Sequence, residues 1–141
     1  MSKYSVYKDS VQDKINKFPI MFAYSNEQFL EGLNKLGVSS KKDLISIGGG
    51  GFIRETDKDS YIELINSIDK ELKDKISSDD EFVLDMFGYE LANHEYCISF
   101  DDEDVIDACG LDIDSVNKDN RLKKLYLSAR KSYLEEIQEQ E

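Results

Sequence analysis

The apolar positions of this chain fall into short runs and helical stripes, with turn residues between them. A first helix is predicted over about Asp9 to Lys17, open to earlier extension. Phe18-Pro19 ends it, because the residue before a proline disfavours helical backbone. Ile20 to Tyr24 is a continuous apolar run of strand length. Ser25 followed by Gln28 is a capping box. It opens a helix through Phe29, Leu33 and Leu36, and Gly37 closes it. Lys42 to Arg54 reads as a strand, a turn over Gly48 to Gly51, and a second strand. Thr56 or Asp57 caps a long helix carrying Tyr61, Leu64, Ile65, Ile68, Leu72 and Ile76. Ser78 with Glu81 starts another helix, which runs to about His94. Tyr96 to Phe100 reads as a short strand. Asp101 to Asp104 cap a short helix that Gly110 ends, and a last helix runs from about Asp119 to Gln138. Helices with a few short strands, not strictly alternating, predict a helix-rich α+β fold with a small sheet.

The chain has 141 residues, 40% of them hydrophobic, with seven Phe and eight Tyr. That length favours a single domain over 1–141 with one core, and fraying ends at 1–8 and 138–141. Cys97 and Cys109 form no CxxC and no zinc pattern. They read as reduced thiols, which points to the cytoplasm. No apolar run reaches the roughly 18 residues of a membrane span, and the N-terminal stretch lacks a signal-peptide core. No motif specifies a catalytic residue, a cofactor or a metal, and the oligomeric state is left open.

Charge changes the picture. The formal net charge is −12. Residues 1–78 carry twelve cations and twelve anions, and residues 115–141 carry six and five. Between Lys75 and Lys118 there is no Lys or Arg, while thirteen carboxylates occur: Asp79, Asp80, Glu81, Asp85, Glu90, Glu95, Asp101, Asp102, Glu103, Asp104, Asp107, Asp112 and Asp114. The excess therefore sits in one block, which repels itself unless cations or a basic partner offset it. Such a block reads as a solvated face, as a cation-binding array, or as an imitation of nucleic-acid phosphates. No EF-hand loop is present. A basic stripe with interleaved aromatics is also missing, so direct nucleic-acid binding is not expected.

Two other features carry candidate chemistry. Consecutive glycines can point amides at an anion, and Arg54 follows the tetrad containing Gly49 and Gly50. The P-loop and dinucleotide patterns are not met, and a hairpin turn is the plainer reading. Glu90 and His94, at i and i+4, share the arc of Phe82, Val83, Met86, Phe87 and Leu91. Such a pair can fix helix packing, join a metal site, pass a proton or meet a partner. With Gly49, Gly50 and Arg54 it makes up an alternative ligand site, or the site of a small enzyme.

The segments FPIMFAYSNEQFLEGLNKLG, IGGGGFIR and DMFGYELANHEY resemble a family of small acidic proteins encoded in phages, prophages and mobile elements of Firmicutes and gut bacteria. The resemblance spans about Phe18 to Leu111 and supplies no activity, hence no catalytic residue. It implies a setting, because small acidic phage proteins often bind and inhibit host machinery, CRISPR nucleases among them. The expectation is an inhibitor of a host nucleic-acid-handling or defence protein with a basic surface. It would act through Asp79, Asp80, Glu81, Asp85, Glu95, Asp101, Asp102, Glu103 and Asp104.

Overall fold

A computed structural model describes residues 2–140. The fold is helix-rich α+β: eight helices and one three-stranded antiparallel sheet among the described residues. The chain divides into two compact units, one formed by residues up to Lys8 with Leu72 onward, the other by Asp9–Glu71. Both boundaries fall inside helices, in α1 (Lys3–Lys17) and in α3 (Lys58–Ser78).

Among the described residues the first unit has helices and no strand. α4 (Asp80–Asn93) is its spine and buries Phe82, Val83, Met86, Phe87 and Leu91. α6 (Asp102–Ala108) adds Val105 and Ile106, and α7 (Ile113–Lys118) adds Val116. α8 (Asn120–Glu139) buries Leu122, Tyr126, Ala129 and Tyr133 along one stripe, as its periodicity requires. The start of α1 contributes Tyr4 and Tyr7, both set edge-on to Phe82 at 5.7 Å. The N-terminal stretch expected to fray is thus helical from Lys3, because two tyrosines have core positions to fill. At the other end Gln138 and Glu139 are still helical; Met1 and Glu141 lie outside the described residues.

Two further expectations are corrected. The cap of α4 is Asp79 rather than Ser78: its carboxylate accepts the Phe82 amide at 3.0 Å. Ser78 ends α3 instead, its hydroxyl donating back to the Asp74 carbonyl at 2.7 Å. Tyr96 to Phe100 is not a strand. It is the short helix α5 (Tyr96–Ser99), with the Phe100 amide bonded to the Tyr96 carbonyl at 2.9 Å. Five residues are too few to separate the period of a strand from that of a helix. Here Tyr96 buries while Ile98, two residues on, is 74% exposed.

The second unit holds the sheet, in the order β1 (Met21–Phe22), β3 (Gly51–Arg54), β2 (Leu44–Gly48). α2 (Asn26–Leu36) follows β1. Ser25 caps it as expected, accepting from Gln28 at 3.2 Å, and Gln28 reaches back to the Tyr24 amide at 2.8 Å. Gly37, at φ 69, closes it with the Val38 amide bonded to Leu33 at 3.0 Å. The buried hydrophobics of this unit are Ile20, Met21, Leu36 and Ile53.

Candidate functional site

The thirteen-carboxylate block lies in the first unit, which carries ten Lys and Arg against nineteen Asp and Glu, net −9; the second carries eight against eleven, net −3. Folding brings cations to part of the block from outside it. Lys3 of α1 reaches Asp79 at 3.0 Å and Glu81 at 3.3 Å, and its backbone N–H donates to Asp85 at 3.0 Å. Arg121 of α8 meets Asp80 at 2.7 Å. Asp102 accepts from the Tyr126 hydroxyl at 2.6 Å and from Arg130 at 3.1 Å. The Asp79 carboxyl is held below the ordinary carboxylate range, first by the Phe82 amide and then by Lys3. For Asp102, partial burial works upward, but Tyr126, then Tyr96 and Arg130, outweigh it and the net shift is down. Exposed pairs of this kind are screened by solvent and contribute little to stability. Their larger effect is to take these carboxylates away from a partner.

What stays unpaired is narrower than the nine residues expected. Glu95, Glu103, Asp107 and Asp114 are exposed and make no ion pair or side-chain hydrogen bond among the described residues. Asp101 and Asp112 spend their carboxylates capping α6 and α7, at 3.1 and 3.2 Å. The carboxylates left without a partner therefore belong to the cap of α5 and to α6 and α7. Two hydrophobics stand in the same stretch, Ile98 at 74% and Phe100 at 63% exposure. Glu95 and Phe100 bracket α5 with left-handed backbone, φ 50 and 52, uncommon for residues other than glycine. The strand expected over Tyr96 to Phe100 gives no sign of this exposure.

Glu90 is 2% exposed and is not isolated. Tyr4 donates its hydroxyl to Oε1 at 3.3 Å, and Lys8 Nζ lies 3.5 Å from the same oxygen. His94 Nε2 is 3.3 Å from Oε2, and its Nδ1 faces Asp104 at 2.9 Å. The Lys8 ammonium also sits 4.9 Å from the Tyr89 ring centroid. The expected Glu90–His94 pair is thus the centre of a polar knot joining α1, α4 and α6. Cys109 is buried nearby; burial, then the Glu90 charge, pushes its thiol up to about 12, which makes it an inert core group. Among the described residues no group of three His, Cys, Asp or Glu side chains is arranged to hold a metal.

The glycine tetrad belongs to the second unit. Gly49 and Gly50 form a two-residue loop between Gly48 and Gly51, with φ 59 and 79. Positive φ at both positions is what a type I′ hairpin turn requires. The Gly49 carbonyl accepts the Tyr24 hydroxyl at 2.9 Å, and the Tyr24 ring lies against Gly50. Arg54 is engaged too, with Nε 2.7 Å from Asp57 and a guanidinium nitrogen 3.5 Å from the Leu36 carbonyl. The alternative site thus has Gly49, Gly50 and Arg54 in one unit and Glu90 and His94 in the other.

Among the described residues, no helix is long and apolar enough to cross a membrane. A model for a family of unknown function (DUF7659) matches residues 3–132, and the chain belongs to that family. No curated protein and no solved structure matches it.

Proposed function

We propose, for this member of a family of unknown function, that it is a non-enzymatic binding protein. Its first unit would lay the α5–α7 surface on a basic groove of a nucleic-acid-handling protein. One observation carries the reading: after the ion pairs are drawn, Glu95, Glu103, Asp107 and Asp114 remain without a cation, in the stretch that exposes Ile98 and Phe100. Clustered carboxylates compete for sites that otherwise hold phosphates, and they speed encounter with a positive surface. Apolar side chains among them add contact area that becomes dry on binding. The resemblance to acidic phage and mobile-element proteins favours a host defence complex, such as a CRISPR nuclease, as the partner, and the bacterial cytoplasm as the setting.

The choice of variant matters. Asp101, Asp102 and Asp104 are committed to a cap, to Tyr126 and Arg130, and to His94, so reversing them disturbs the fold. Glu103 and Asp107 are exposed and have no such duty. In affinity capture from a bacterial lysate, the wild-type chain should retain a basic nucleic-acid-binding protein at low salt and release it to added duplex DNA. The double variant Glu103→Lys, Asp107→Lys should melt like the wild type and bind that protein about tenfold or more weakly. Equal binding by the double variant, or a captured protein that DNA does not displace, rejects the reading.

A further inference from the structure

The second unit contains an aromatic side chain that is exposed and yet fixed. Tyr24 is 75% exposed. Its hydroxyl donates to the Gly49 carbonyl at 2.9 Å and its backbone N–H donates to Gln28 at 2.8 Å. Its ring lies so close to Gly50 that a Cβ there would come within 2.5 Å of it. The hairpin and the start of α2 together hold one ring in the open, against a glycine whose Cβ would collide with it. Core packing gives no reason for this, since little of the ring is buried. A ring held rigid before binding loses little freedom when something stacks on it.

Beside Tyr24 opens a cleft of about 470 Å³, within the size range of small-molecule sites. Phe29 and Phe52 form its other aromatic walls, edge to face at 5.5 Å. Asn26 and Lys41 also line it. Neither the Asn26 amide nor the Lys41 ammonium makes an ion pair or side-chain hydrogen bond among the described residues. Asn26 is the first residue of α2, whose partial positive end favours negative charge at the same place. We infer that this cleft binds a planar aromatic ring carrying an anionic group, the chemistry of a nucleoside monophosphate. The ring stacks on Tyr24 against Phe29 and Phe52, and Lys41 meets the anion. The inference is independent of the acidic surface, which belongs to the other unit.

The test is an amide NMR titration of the full chain with adenosine monophosphate, adenosine and inorganic phosphate in parallel. Adenosine monophosphate should give saturable shifts at Asn26, Gly49 and Gly50. Adenosine and phosphate, each lacking one half of the ligand, should bind about tenfold or more weakly. Tyr24→Leu should weaken adenosine monophosphate about tenfold or more through lost stacking. Should Tyr24→Leu disturb the hairpin, Lys41→Gln still decides the matter, because it alters an exposed side chain with no partner; it should bring adenosine monophosphate down to the level of adenosine. The inference is overturned if adenosine monophosphate gives no saturable shifts, if the shifts lie elsewhere, if adenosine binds as tightly, or if Lys41→Gln changes nothing.

Discussion

A carboxylate in a protein interior carries a desolvation penalty that only well-placed partners offset. Glu90 has three: the Tyr4 hydroxyl, the Lys8 ammonium and the His94 ring. Removing the acceptor leaves the Tyr4 hydroxyl, itself buried, with no partner in this knot. Glu90→Ala should therefore lower stability by about 2–4 kcal/mol, read as a shift in urea midpoint at constant slope. Glu90→Gln keeps an oxygen for Tyr4 and should lose roughly half as much. A Glu90→Ala variant within about 0.5 kcal/mol of the wild type would show that the knot is not structural. The pair was legible in the sequence because Glu90 and His94 lie one helical turn apart on an apolar arc. Tyr4, Lys8 and Asp104 were not, since they arrive from α1 and α6 and no local period announces such meetings.

Elements whose signals are local were legible, and those that depend on tertiary context were not. Ser25 with Gln28, the aspartate caps of α6 and α8, and the glycine turn each specify themselves within a few residues. α7 escaped notice because a six-residue helix with one buried side chain, Val116, shows no period. The start of α1 escaped because its buried residues are tyrosines among charges. The hairpin allows a comparison that separates backbone from packing. Gly49 and Gly50 both have positive φ, so alanine at either position should cost about 1–2 kcal/mol in backbone strain. A Cβ at Gly49 meets nothing within 4 Å, whereas one at Gly50 runs into the Tyr24 ring. Thermal melts should thus rank Gly50→Ala below Gly49→Ala, by a further ~1 kcal/mol or more. Equal losses would mean that Tyr24 gives way freely and is not a fixed platform.

For the whole molecule, counting charges located the negative excess but not its fate. Which carboxylates are answered depends on Lys3, Arg121 and Arg130, cations that lie outside the block in sequence and reach it only in the folded chain. Two opposing effects of acid follow. Lowering the pH toward the sequence pI of 4.5 relieves the self-repulsion of a −12 chain, which favours the compact state. Lower still, the carboxyls that folding holds down begin to matter, Asp79 through the Phe82 amide and Lys3, Asp102 where burial is outweighed by Tyr126, Tyr96 and Arg130. A group whose pKa is depressed by folding stabilises the folded state fully above its unfolded value, near about 3.9 for aspartate, and loses that contribution as pH falls through the folded value. Urea midpoints should therefore rise slightly from neutrality to about pH 5 and decline below about pH 4. Asp102→Asn removes one of the depressed groups, so it should begin less stable at neutral pH and decline less steeply in acid. A wild-type midpoint that falls steadily from neutrality would show that the unpaired carboxylates of α5–α7 do not repel one another enough to matter, and it would take away the electrostatic drive toward a basic partner. An Asp102→Asn decline as steep as the wild type would leave the charge argument intact and assign the acid sensitivity to other carboxyls.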